Sequence, residues 1–525
     1  MIATVGPTLA TQFSAVSIDY AAVAPLLIVF TGALIGVLIE AFSPRGIRQP
    51  IQLGLALVTL VAAFVTLVTL SVNHHAKTLG GSVVVDGPAV FLQGVLLIMA
   101  VLGVLTFAER WGGREADAFT PMGASTPGSS QEAAATRAGF VTSEVFPLAL
   151  LATGGMLLFV AANDLITLFI ALEVLSLPLY VLTGLARRRR LLSQEASLKY
   201  FLLGAFASAF LLFGSALLYG YAGSVDFDAL AATISSGTSP YGPFLLPGIL
   251  LVLVGLLFKI GAAPFQMWTP DVYQGAPTPV TGFMAAATKA AAFGAILRFA
   301  YVAVEGARWD WRAPVIGVAA LTMIVGAVLS VTQTDIKRLL AYSSIAHAGF
   351  ILVGLLGFSQ AGISGVMFYL TAYGLSTLAA FAIVSMVREN GAEATHLSQW
   401  AGLGRSHPVV AATFALLLLA FAGIPLTSGF TAKYAAFAPA VASGGRAGIM
   451  LVVLAVLCSA VTAFVYVRII VLMYFTQPSG DNVDVLMPSW ATTVTVTVGA
   501  LATVILGILP GPVLDLAQQA AQFIR

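Results

Sequence analysis

The sequence predicts an all-α polytopic membrane protein of about fourteen transmembrane helices, with two inverted five-helix repeats and two discontinuous helices. Composition is the first support: of 525 residues, 59% are hydrophobic and 9% charged, and mean hydropathy is +0.98. A soluble domain has roughly 45–50% apolar and 25% charged residues. The second is the recurrence, from end to end, of apolar runs about twenty residues long, the length that crosses a hydrocarbon layer of about 30 Å. Alternating segments of about ten residues, the mark of an outer-membrane barrel, do not fit this pattern.

In order, the apolar runs fall near 20–41, 51–72, 88–108, 145–162, 165–185, 196–221, 243–266, 274–304, 314–333, 337–357, 362–387, 408–434, 446–475 and 489–511. No Lys or Arg occurs in the first 44 residues, so the positive region of a cleavable signal is missing and the first run should stay as a helix. The polar connection from Glu109 to Ser143, rich in Gly, Ser, Pro and charge, reads as a flexible cytoplasmic surface loop without chemistry.

Net charge is +2, with no basic stripe interleaved with aromatics, so nucleic acid is excluded as a partner and other membrane proteins and lipids are expected. Cys458 stands alone, which excludes an internal disulfide; no Cys cluster is available for zinc or iron–sulfur, and no metal centre is expected. One set of alternating loops collects Arg45, Arg48, Arg110, Arg114, Arg137, Arg187 to Arg190, Lys337, Arg338, Arg388 and Arg405. The other set has only Lys77, Arg308, Arg312, Arg446 and Arg525, which places both termini outside. Arg187 to Arg190 read as a topology anchor in preference to a site for anionic lipid. Trp111, Trp268, Trp309, Trp311, Trp400 and Trp490 lie near span ends and read as an interfacial belt.

Six cations remain inside apolar spans: Lys199, Lys259, Lys289, Arg298, Lys433 and Arg468. Isolated charge at mid-membrane costs about 2.5–3.5 kcal/mol even on the lenient insertion scale. Arg298 and Arg468 are close enough to span ends for snorkelling to account for them. Lys259, Lys289 and Lys433 are flanked by apolar or small residues, in LLFKIGAAP, AAATKAAAF and SGFTAKYAAF. Glu173 is the one carboxylate that reads as central in a span; Glu144 and Asp164 sit at span ends. A carboxylate and an ammonium in low dielectric hold each other charged, whereas an unpaired, desolvated lysine can load and release a proton. A salt bridge between helices would need one such lysine, and there is a surplus.

Two of these spans carry helix breakers near mid-depth. Lys259 is followed by Gly261 and Pro264, and Gly423, Pro425 and Gly429 precede Lys433. Proline frees the carbonyl one turn earlier, which protein or cavity water must then satisfy. Glu173 precedes Lys259 by the same 86 residues that separate His347 from Lys433. Matching the fifth and seventh spans to the tenth and twelfth offsets the halves by five spans, an odd number, so the halves are inverted. His347, beside Ser343 and Ser344, is a candidate relay. His74, His75, His396 and His407 are given no role.

Long motifs in this order, LATGGMLLFVAANDLITLFIALEVLSLPLYVL, EASLKYFLLGAFASAFLLFGSALLY, KIGAAPFQMWTPDVYQGAPTPVTGFMAAATKAAAF, QTDIKRLLAYSSIAHAGF and AGIPLTSGFTAKY, resemble the subunit N family of proton-pumping NADH:quinone oxidoreductase, bacterial complex I. The resemblance covers roughly residues 144 to 475. It implies residues 1–143 as three helices plus the polar loop, 144–304 and 305–475 as the two antiporter-like repeats, and 476–525 as a last helix and tail. It also implies that Glu173 modulates Lys259, that Lys199 lies beside that pair, that Lys289 continues the protonatable chain past His347, and that Lys433 is the terminal group. NADH, FMN, iron–sulfur clusters and quinone would be held by partner subunits of complex I, with no redox chemistry in this chain, in a bacterial inner (plasma) membrane. Subunit M usually has a glutamate where Lys433 stands, and subunit L continues into a long lateral helix. Gln266, in PFQMW, replaces a histidine common in the family and cannot titrate. A cation/proton antiporter subunit and a structural scaffold of the membrane arm are the competing functions.

Overall fold

Backbone groups in hydrocarbon have no water to bond, so an apolar run must satisfy them within itself as an α-helix. The protein is described by a computed structural model over residues 17–72, 74–110, 117–389, 391–477 and 483–524. Twelve helices among these residues are long and apolar enough to cross a membrane, and the two shorter apolar helices Val145–Ala161 and Pro408–Ala422 stand at the fourth and twelfth apolar runs.

The chain opens with α1 (Tyr20–Phe42) and α2 (Arg45–Thr66), the latter extended by a π-helical turn, Leu67–Ser71. The hairpin of β1 (Ala76–Thr78) and β2 (Val83–Val85) then leads into α3 (Gly87–Phe107). After the short α4 (Ser130–Arg137) come α5 (Val145–Ala161), α6 (Leu165–Thr183), α7 (Arg190–Ala222) and α8 (Phe227–Ser236). The seventh run forms α9 (Leu245–Ile260), the short α10 (Trp268–Gly275) follows it, and the eighth run divides into α11 (Thr278–Phe283) and α12 (Lys289–Arg298) around a π-helical turn. Next are α13 (Arg308–Val331), α14 (Ile336–Leu355) and α15 (Gln360–Met386). Strands β3 (Val387–Glu389) and β4 (Ala392–Glu393) pair, and β5 (Val483–Val485) joins β3, in an antiparallel sheet of order β4-β3-β5. Between β4 and β5 lie α16 (Leu403–Ser406), α17 (Pro408–Ala422), α18 (Ser428–Ser443) and α19 (Gly445–Phe475); α20 (Trp490–Ile508) and α21 (Gly511–Gln519) close the chain.

The segment Thr278–Ala303 is buried throughout, and α14 and α15 nearly so, whereas α2, α19 and α20 turn most of their surface outward. Large apolar side chains on the rim, such as Leu34, Phe206 and Phe464, are exposed, as lipid-facing residues are. Both breaks rest on a glycine. Gly261 (φ 72°) ends α9 by donating its N–H to the carbonyls of Leu257 and Phe258, and Gly423 (φ 83°) ends α17 on Leu419 and Ala420. That left-handed conformation carries no steric penalty for glycine alone.

One construction occurs twice. Asp164 caps α6 by accepting the N–H groups of Ile166 and Thr167, and its backbone bridges to Asp226; Asp335 caps α14 through Lys337 and Arg338 and bridges to His396. Gly155 on α5 meets the backbone of Leu175 on α6, as Gly326 on α13 meets Ala346 on α14. The members of each pair, 164 and 335, 155 and 326, 175 and 346, stand 171 residues apart. The two caps lie on opposite faces. Asp164 neighbours the β1–β2 hairpin, since the Asn163 amide donates to Gly81 O, and Asp335 lies beside Arg189, which donates to Thr395. Asp19 N–H donates to Thr78 and Ile524 N–H to Asp86, so both ends of the described chain meet the hairpin face, opposite Arg187–Arg190.

Two sequence readings are corrected. The segment 117–143 is not a free surface loop: Phe119, Thr120, Ser125 and Thr142 are buried, and the Arg190 guanidinium donates to Thr120, Met122, Gly123, Ser125 and Glu132. The tryptophans do not form one belt. Trp309 and Trp490 are exposed, but Trp268, Trp311 and Trp400 are buried, each with its indole N–H on a backbone carbonyl. Trp111, Arg114 and Arg525 lie outside the described residues.

Candidate functional site

A lysine in the last turn of a helix faces unpaired carbonyls and the negative end of the dipole. Lys259 holds that position at the end of α9, beside the glycine break, and is 3% exposed. Its Nζ donates to Ser176 Oγ on α6 (2.8 Å) and to the Tyr200 hydroxyl on α7 (3.1 Å), 5.1 Å from the Tyr200 ring centre. Glu173 lies one turn before Ser176 on the same helix, yet among the described residues no ion pair joins it to Lys259, and its buried Oε1 has no hydrogen-bond partner. The expected pair is therefore two neighbours, with a serine taking the ammonium.

Lys289 opens α12 directly after the π-helical turn Met284–Thr288, a local widening of the helix of the kind found at functional positions. Its Nζ donates to both the carbonyl and the hydroxyl of Ser344 on α14 and lies 5.5 Å from the Tyr373 ring. One turn on from Ser344, the His347 ring stacks on Tyr373 (4.6 Å between centroids), and its Nδ1 is 2.8 Å from the Tyr369 hydroxyl. Its Nε2 is buried without a partner among the described residues. Phe421 and Phe350 meet the imidazole edge-on at 5.8 and 5.6 Å. Beyond them Lys433 folds back from α18 across the break, donating to Phe421 O (3.0 Å), Ala422 O (2.8 Å) and Ser459 Oγ on α19 (2.6 Å). The two carbonyls belong to the last turn of α17, where intrahelical donors run out.

Lys289, Tyr373, His347, Phe421 and Lys433 thus form one contiguous row. From Lys259, aromatic contacts lead through Tyr200 to Trp268 (4.7 Å, stacked) and Tyr273 (6.3 Å, edge-on). The Trp268 indole N–H adds a second donor to the carbonyl of Phe258, which already accepts from Gly261 at the first break. Gln266 lies in the link between α9 and α10, half-buried, with its Oε1 unpartnered among the described residues.

Lys199 does not join the row. It is half-exposed and pairs with Glu195 (2.7 Å) and Asp271 (2.8 Å), and Asp271 also accepts from Arg338 (2.6 Å). The 33-residue α7 is about 50 Å long at 1.5 Å per residue, more than a bilayer needs, so its first turns carry Lys199 toward the arginine-rich face. Arg298 does not snorkel: it is 1% exposed and forms a two-point pair with Asp86 at 3.0 and 2.6 Å. Lys337, counted with the loop charges, is buried on Ala276 O (2.7 Å), with Glu393 at 3.8 Å. Arg468 donates to Val331 O and Gln333 O at the end of α13. Sequence reasoning missed Asp86, Asp271 and Glu393, because each lies near a span end and acquires its meaning from a cation far away in the chain. Among the described residues, no group of three His, Cys, Asp or Glu side chains is placed to hold a metal.

Residues 162–459 match the family described as NADH:quinone oxidoreductase/Mrp antiporter, transmembrane region. The chain is 56% identical over 517 residues to the NADH-quinone oxidoreductase subunit N of Salinispora arenicola, covering 97% of this chain and 99% of that one. Among solved structures, a chain of respiratory complex I from Thermus thermophilus is 34% identical, with a TM-score of 0.75 over 94% of this chain and 99% of that one. A chain of the Mrp complex from a Dietzia species shares the fold alone, at 22% identity and a TM-score of 0.77 over 95% of this chain and 96% of that one. A family match over more than half of the sequence, and a relative this similar along its whole length, show that the chain belongs to the NADH-quinone oxidoreductase subunit N family.

Proposed function

We propose that this chain carries protons across the membrane as an antiporter-like membrane-arm subunit of NADH:quinone oxidoreductase, along Glu173, Lys259, Lys289, His347 and Lys433. NADH, FMN, iron–sulfur clusters and quinone belong to the partner subunits that supply the driving reaction. The supporting observation is the set of acceptors around the three buried lysines: hydroxyls and carbonyls in every case, with no carboxylate within ion-pair distance among the described residues. A lysine fixed by a carboxylate is a strut; one held by neutral oxygens can give up and regain its proton without leaving a counter-ion behind. Lys199, held by two carboxylates, braces the arginine-rich end instead.

The duplicated caps and glycine contacts support an inverted repeat, each half providing one half-channel, in a bacterial cell membrane with both termini outside. Charge would pass from group to group: a change at Glu173 alters the field at Lys259, and the disturbance reaches Lys433 through Lys289. The test replaces Lys289 with alanine and, separately, with arginine, which stays protonated. Both variants should cut proton pumping on the order of tenfold or more while the complex assembles and reduces a soluble acceptor normally. Unchanged pumping would make the chain a scaffold, and an active free-standing transporter without redox subunits would make it an antiporter.

A further inference from the structure

Arg187 to Arg190 line a cavity of about 930 Å³ on the arginine-rich face, bounded by the 117–137 segment, the Gln274–Pro277 link and the β3–β4 hairpin. Seven cationic side chains and three carboxylates line it, an excess of four positive charges. The carboxylates are already engaged. Asp117 pairs with Arg187, Glu132 with Arg190 (2.8 Å), and Glu393 accepts from the Thr278 hydroxyl (2.7 Å) with Lys337 at 3.8 Å. Outside these pairs, Arg137, Arg188 and Arg189 bring further positive charge to the rim, and Arg388 lines the wall. Arg188 and Arg189 stand at the exposed rim, and Arg388 is 8% exposed at the wall. Burial, with the like charge of Arg188, pulls the Arg388 guanidinium below its ordinary range. Arg189, at the start of α7, has a left-handed backbone (φ 56°), a conformation unfavourable for a residue with a side chain.

Guanidinium forks match the paired oxygens of a phosphate, and basic pockets at the charged ends of membrane helices take anionic head groups. We propose that this cavity binds a phosphate-bearing anion through Arg188, Arg189 and Arg388, the head group of an anionic phospholipid being the source that its place at the helix ends favours. The ligand neutralises the local surplus and ties the 117–143 segment to the β3–β4 hairpin.

The test uses the assembled complex in vesicles of phosphatidylcholine alone, phosphatidylcholine with phosphatidylglycerol, or phosphatidylcholine with millimolar inorganic phosphate. Phenylglyoxal modification of Arg188 and Arg189 is followed by peptide mass spectrometry, with the half-buried Arg308 and the exposed Arg446 as references. Severalfold slower modification with phosphatidylglycerol, and unchanged references, supports the lipid source. Protection by inorganic phosphate alone supports the same site with a soluble ligand. Equal modification in all three overturns the proposal, as does a crosslink placing an acidic segment of a neighbouring subunit in the cavity. The Arg188→Gln/Arg189→Gln complex should retain severalfold less phosphatidylglycerol after detergent exchange than an Arg308→Gln/Arg446→Gln complex; equal retention, with no protection by phosphate, also overturns it.

Discussion

Each buried cation is defined by what holds it. Arg298 meets Asp86 with both residues almost fully buried, and Asp86 also caps α3 and accepts from Ile524. Removing one partner strands a charge, so Arg298→Ala should cost about 3–5 kcal/mol, and the double change Asp86→Ala/Arg298→Ala markedly less, as read from thermal unfolding of the purified complex. Lys259 makes a different prediction. Tyr200→Phe removes one of its two acceptors, a loss of about 1 kcal/mol, and should alter the pH profile of pumping while leaving assembly intact. The three buried lysines were legible because depth in a membrane follows from apolar flanks on both sides. Lys199 and Lys337 were placed wrongly, one too deep and the other too shallow, because a helix longer than the bilayer and a helix start under a hairpin are properties of neighbouring elements.

Glycine contacts decide how close the helix pairs come. Cβ atoms at Gly155 and Gly326 would lie 2.4 and 2.3 Å from backbone nitrogens of the facing helices, closer than any side chain tolerates. Gly155→Val and Gly326→Val should therefore each lower the yield of assembled complex severalfold, while Gly46→Val, with open space around it, should not; quantitative immunoblotting of membranes would read the difference. Both breaks were visible in the sequence from glycine and proline, but the 171-residue spacing of the duplicated caps and glycine contacts was not. The 86-residue spacing equates Glu173 with His347, whereas the caps and glycines equate Glu173 with Ser344 and Ser176 with His347. The two registers differ by three residues, about one helical turn, which keeps the same face. On the 171-residue spacing, Ser176 and Ser344, which receive Lys259 and Lys289, lie on α6 and α14 at positions one turn apart.

Across the molecule, the arginine-rich face is a clasp between distant segments. Arg190→Ala should release 117–143, raising its hydrogen exchange while α5 and α6 remain protected. Burial would raise the Glu393 carboxyl, but Lys337, Arg388 and the Thr278 hydroxyl outweigh it and hold the group below its ordinary value. Its contribution is therefore complete above the ordinary glutamate range near pH 4.3 and is lost as pH falls through the lowered value, so exchange at Ala276–Thr278 should rise only in that acid window. At the far end of the row, Lys433 rests on two peptide carbonyls. Such a bond vibrates at a frequency set by the field along it, and the ammonium is the largest charge nearby. Isotope-edited infrared bands from Phe421 and Ala422 would act as an electrometer built into the backbone, shifting with any change in the charge that Lys433 carries.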